Sequence, residues 1–217
     1  MGGSEVRAAP RPGRGRPSAR SHRAGDVARW STALIDGDLA GAGDLARRLR
    51  DIGYVMYVSR DLAGLRAYVT DRYAGEPARR YGLVTSSKFR KTTDYDFEPT
   101  PNRFFYYGQW YEAAPDDARS CCRLRLAVTE FGCQGLELDL PILCWGPDLR
   151  WNGTAWQPHF GRSWKVKNPH KLRLNAYRVL LTRGRDGLCV FVPRVSDAAL
   201  DGTYEALVQA GLLPPAG

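Results

Sequence analysis

Apolar positions along this chain change their period several times, and each change marks an element. Val27, Trp30, Leu34 and Ile35 recur every three or four residues, the spacing of one helix face, in a segment that opens at Asp26. Leu39, Leu45, Leu49 and Ile52 continue in a second helix until Gly53 stops it. Beyond these two lead-in helices, strand and helix patterns alternate. Tyr54 to Ser59 reads as a strand, Leu62 to Tyr73 as a helix ended by Gly75 and Pro77, and Tyr81 to Ser86 as a second strand, together a βαβ unit. Cys122 to Thr129 and Leu140 to Trp145 read as further strands, and Pro169 to Arg183 as a helix with proline in its first turn. Leu188 to Val192 reads as a last buried strand, and Ala198 to Ala210 as a closing helix. Crossovers of one hand then predict an α/β domain whose sheet is mostly parallel and flanked by helices. Ligands of open parallel sheets sit at the carboxyl ends of the strands. That rule selects Thr85-Ser86-Ser87-Lys88, Thr129 to Glu137, and Trp145-Gly146-Pro147-Asp148.

Composition narrows the class. A chain of 217 residues, 43% hydrophobic and 11% aromatic, suffices for one well-buried domain, spanning residues 26–217. Residues 1–25 are rich in Pro, Gly, Arg, Ser and Ala and hold six arginines against the single acid Glu5, which predicts a disordered basic tail. It has no apolar core of the secretory kind, and no apolar run is long enough to span a membrane. The net charge is +9, and Gly161 to Arg185 carries Arg162, Lys165, Lys167, Lys171, Arg173, Arg178, Arg183 and Arg185 with no acid between them. Such a run suits phosphates, and it also suits the solvated face of a basic helix. Cys121, Cys122, Cys133, Cys144 and Cys189 make no Cys-x-x-Cys pair, and His22, His159 and His170 complete no zinc pattern. Reduced thiols and a cytoplasmic location are the expectation.

Within the basic helix, Leu172, Ala176, Val179 and Leu180 form an apolar stripe that continues onto Arg183. A guanidinium there either compensates the helix dipole or meets a phosphate. Upstream, Gly135 allows close approach of backbone to a ligand, and Glu137 can accept from a ribose hydroxyl or pair with a cation. Thr85, Ser86, Ser87 and Lys88 offer hydroxyls and a cation to a phosphate backbone, with Arg90 and Lys91 following. Thr129, Lys171 and Arg178 join them as candidate nucleic-acid contacts. The aromatic run Phe104 to Tyr111 offers stacking candidates, Trp110 first, beside the alternative that it is core, and Trp151, Trp156 and Trp164 stand in the same position. No Gly-x-x-x-x-Gly-Lys-Ser/Thr loop occurs, and no apolar strand ends in an Asp-Glu pair.

In the order of Tyr81 to Lys88, Arg119 to Cys122, Thr129 to Asp139, Cys144-Trp145-Gly146 and Leu172 to Pro193, the chain resembles the C-terminal part of the Schlafen group 3-like DNA/RNA helicase family. The resemblance implies the second RecA-like domain of a superfamily 1 motor, a P-loop NTPase fold without its phosphate loop. In that setting Gln134, Gly135, Glu137, Thr182 and Arg183 line the nucleotide cleft, and Arg183 is the catalytic arginine finger. ATP with magnesium would bind only with a first RecA-like domain, which becomes the expected partner beside single-stranded or duplex nucleic acid, with no membrane. Gln134 stands where many relatives have lysine, and Gly184 where alanine is common. The expected function is a helicase or translocase lobe without ATPase activity of its own, from a split or truncated gene. The alternative is a non-enzymatic nucleic-acid-binding or adaptor module.

Overall fold

The computed structural model describes residues 19–89, 92–100, 106–159, 168–195 and 199–215. Six parallel strands make the central sheet, in the order β1 (Val55–Ser59), β8 (Gly187–Phe191), β5 (Ile142–Cys144), β2 (Leu83–Thr85), β4 (Leu126–Thr129) and β3 (Glu98–Pro99). The expected α/β class with a parallel sheet and flanking helices is what the chain adopts. β1 and β2 do belong to one parallel sheet, yet β8 and β5 lie between them, so the βαβ unit spans non-neighbouring strands. β8, β5 and β2 are buried along their whole length, as strands covered on both faces must be.

Helices α1 (Ala19–Asp36) and α2 (Leu39–Asp51) lead in, followed by α3 (Leu62–Arg72) after β1. α1 begins well before Asp26, the position at which its apolar face begins, because Ala19 to Gly25 contains no residue that forbids helix and simply extends it backwards. Residues 1–18 lie outside the described residues. Asp38 caps α2, its carboxylate accepting from the Gly41 amide at 2.9 Å. Trp30 fastens α1 to the molecule: it is fully buried, and its indole donates to the Ala210 carbonyl at 3.0 Å. α6 (Asp201–Gln209) closes the chain, and α5 (Pro169–Leu181) packs against α1.

Several elements differ from the expectation. The strand foreseen from Cys122 starts only at Leu126, since Cys121–Arg123 is a 3-10 turn ended by Leu124 at φ 53°. The aromatic segment yields a short helix, α4 (Tyr107–Glu112), and Trp110 is a core residue only 1% exposed, so it offers no stacking face. Trp156 is core as well and Trp151 half-buried, while Phe104, Phe105 and Trp164 lie outside the described residues. Trp151 and Trp156 pair across an unforeseen hairpin, β6 (Leu149–Trp151) and β7 (Trp156–Pro158). The Asn152 side chain closes its turn by accepting from the amides of Thr154 and Ala155. All five cysteines are buried free thiols, with the Cys121 and Cys122 sulfurs 3.9 Å apart. No helix among the described residues is long and apolar enough to cross a membrane.

Candidate functional site

The three strand-end segments selected from sequence converge on one buried arginine. α5 buries Arg173, Ala176, Tyr177, Leu180 and Leu181, the spacing of a single helix face. The apolar stripe read from sequence is therefore rotated: Leu172 is 43% exposed, and Arg173 takes its place inside at 1%. The Arg173 guanidinium donates to Ser86 Oγ at 2.6 Å and lies 3.4 Å from Glu130 and 3.2 Å from Asp148. Ser86 Oγ donates to Asp148 at 2.7 Å, and Tyr177 donates its hydroxyl to the other Asp148 oxygen at 3.1 Å. Glu130 accepts from the Ser87 amide at 2.7 Å and from its hydroxyl at 2.8 Å. The loops after β2, β4 and β5 are thus joined through one cation and two carboxylates. Burial pushes the Asp148 carboxyl above its ordinary range and Arg173 opposes that push; burial and then Asp148 raise the Tyr177 phenol well above its own.

This geometry redistributes the expected nucleic-acid contacts. Thr85 is fully buried with its hydroxyl on the Cys144 carbonyl at 3.0 Å, and Ser86 is buried in the ionic cluster, so neither presents a group to a surface ligand. Thr129 is buried at the end of β4, where its carbonyl accepts from the Cys133 amide at 3.0 Å. Ser87 and Lys88 are half-exposed on the rim, and Lys171 is exposed on the first turn of α5. Arg178 pairs with Asp36 of α1 and donates to Asn175 at 2.9 Å, which commits it to helix packing. Arg90, Lys91, Arg162, Lys165 and Lys167 lie outside the described residues.

The glycine turn and the Thr-Arg segment, forty-odd residues apart in sequence, are laced together by backbone. Leu138 N donates to Arg183 O at 2.9 Å and Arg185 N to Leu138 O at 2.8 Å, a short parallel bridge. Gly184 itself lies against the start of β8, where a Cβ would stand 1.8 Å from the Gly187 carbonyl oxygen. Glycine in place of the common alanine therefore has a local steric cause. Gly135 sits at φ 79° with open space around it, so the turn needs glycine for its backbone and leaves that face uncovered.

α5 ends at Leu181 and is capped by Thr182, whose hydroxyl donates back to Arg178 O at 3.0 Å. Arg183, just beyond, is half-buried and turned toward the glycine turn. Its Nε donates to Val179 O at 2.9 Å, and Nη1 reaches the carbonyls of Cys133 and Leu136 at 3.5 Å. Gly135, Leu136, Glu137 and Arg183 line one open pocket of about 380 Å³ together with Tyr111 and Arg185. Glu137 pairs with Arg185 at 3.0 Å, and Tyr111 donates to the Glu137 carbonyl at 2.8 Å. Thr182 and Glu137 also line a smaller neighbouring cavity of about 190 Å³. Gln134 lies on the other side of the turn, exposed, on a pocket shared with Ser87 and Lys88.

Arg173 and Arg185 were read only as members of the basic run and Tyr111 only as part of the aromatic run, and the cluster around Arg173 was not foreseen. For Arg173 a signal existed, since it stands three, four, seven and eight residues before Ala176, Tyr177, Leu180 and Leu181. Among the described residues no group of three or more His, Cys, Asp or Glu side chains could hold a metal ion.

A parallel sheet flanked by helices, with polar loops at its strand ends and a glycine turn bound to a Thr-Arg segment, is an α/β arrangement compatible with the RecA-like fold. The chain belongs to the Schlafen group 3, DNA/RNA helicase domain family, whose model matches residues 16–194. No curated protein matches it.

Proposed function

We propose that this chain is the second RecA-like lobe of a DNA/RNA helicase or translocase, lending an arginine to a nucleotide held chiefly by a first lobe. The observation that carries this reading is the shared open pocket of Gly135, Glu137 and Arg183. Its residues suit part of a nucleotide. The planar Arg183 fork can bind two phosphate oxygens, Glu137 can accept from a ribose hydroxyl, and Gly135 leaves room for close backbone approach. They include no ring of amides and lysine to cradle a β-phosphate, so that cradle and the magnesium belong to residues outside this sequence. Within such a motor, Arg183 would neutralise charge developing on the transferred phosphoryl group while Lys88 and Lys171 hold the nucleic-acid backbone. The chain alone then turns over no ATP.

The test is ATP hydrolysis by this chain combined with a first lobe that carries a phosphate loop. Turnover is expected to fall by about 10³-fold or more in Arg183→Ala and not to be restored by Arg183→Lys, which keeps the charge but loses the fork. Turnover unaffected by either change would refute the assignment. A second reading, a non-enzymatic nucleic-acid-binding or adaptor module, draws on the carbonyls that Arg183 already engages. On that reading Arg183→Ala lowers stability and leaves any hydrolysis unchanged.

A further inference from the structure

A second pocket, of about 350 Å³, lies at the ends of β2 and β4 against α5, apart from the Arg183 pocket. Its walls are mostly apolar, formed by Phe131, Leu172, Ala176 and Val179. Phe131 is 64% exposed and Leu172 43%, and these are two of the six large apolar side chains left exposed among the described residues. Two such side chains at the mouth of one cavity make a site rather than scattered surface. Polar groups stand around the apolar walls: Lys88, Gln134 and Asn175. The one acid that lines it, Glu130, is turned inward onto Ser87 and Arg173, so its charge is neutralised within the protein.

We infer that this pocket takes a single unstacked base of a nucleic-acid strand, with Phe131 as the stacking face. The inference rests on the nucleic-acid reading above and deepens it. A flat ring with a polar edge matches an apolar slot bordered by amides, which can meet the edge hydrogen-bonding groups of any base. Lys88, together with Lys171 on the adjoining first turn of α5, supplies positive charge for the phosphates on either side of the inserted base. The inward turn of Glu130 leaves no lining carboxylate to repel them. Arg173 acts as a positioning residue, because it ties Glu130 and hence the Ser87 rim to α5. The slot is consequently formed before the strand arrives.

The experiment measures binding of the full chain to a fluorescent oligothymidylate of about twenty nucleotides and to an abasic strand of equal length and charge. Stacking of one base gives the ordinary strand roughly tenfold higher affinity. Phe131→Ala and Leu172→Ala should each narrow that gap while leaving abasic binding and the melting temperature unchanged, since both side chains are exposed at the mouth. A 2-aminopurine placed in the strand should change its emission with the unaltered chain and not with Phe131→Ala. Equal affinity for the two strands overturns the base pocket and leaves the phosphate-contact reading intact. Binding to neither strand at low salt overturns both. Equal weakening of both strands by Phe131→Ala also overturns the pocket, since the ring would then support backbone contacts or the fold.

Discussion

At the scale of single residues, Arg173 and Gly184 show how little a residue's type says about its task. Both belong to a basic, glycine-containing stretch that suits phosphates or a solvated helix face, yet one is fully buried and the other admits no side chain. Arg173→Met leaves the Glu130 and Asp148 carboxylates without their cation and is expected to cost about 3 kcal/mol or more in a denaturant titration. The pH dependence has a definite sign. Arg173 lowers an Asp148 carboxyl that burial raises, so its removal raises that group further. A folded-state value above the unfolded one means that the native protein takes up the proton more readily, and stability is lost as pH climbs through the raised value. The deficit of Arg173→Met should therefore shrink as pH falls from neutrality, and adding Asp148→Asn should recover part of it at neutral pH. Gly184→Ala forces the Thr-Arg segment away from β8 and should lower the melting temperature. Gly135→Ala, with open space but positive φ, should cost only about 1 kcal/mol.

At the scale of elements, α5 carries both candidate sites on different turns. Its second turn meets the strand-end loops through Arg173, and its end delivers Thr182 and Arg183 to the glycine turn. The basic residues between do not act alike. Lys171 is exposed, whereas Arg178 is held by Asp36 and Asn175. Lys171→Ala should thus reduce the salt dependence of oligonucleotide binding by about one phosphate contact. Arg178→Ala should leave that slope unchanged and alter stability by no more than about 1 kcal/mol, as a partly exposed ion pair does. A salt titration of the two variants side by side checks both statements. The element pattern itself was legible, because helix and strand periods are local properties of the chain. The hairpin β6–β7 and helix α4 were not, for each is only a few residues long: the hairpin is held by Trp151–Trp156 packing and an Asn152 side-chain turn and α4 by the buried Trp110, rather than by any repeating period.

At the scale of the whole molecule, a +9 chain with Lys88 and Lys171 near the strand ends should bind single strands weakly, with affinity falling steeply as salt rises; binding indifferent to salt would contradict the charge-based reading. The sequence by itself determined the α/β alternation, the parallel sheet, the lead-in helices and the family, because these follow from periodicity and from contiguous motifs. It also brought Gly135, Glu137 and Arg183 to notice. Only the tertiary structure decided which hydroxyls and cations remain available. Strand order put β8 and β5 between β1 and β2, and the rotation of α5 turned Arg173 inward and Leu172 outward. Thr85 and Ser86 were withdrawn into the interior in the same way. Burial is a property of the packed whole: a residue three positions along a helix faces the core or the solvent according to what other elements place beside it, and no local window of the chain contains that information.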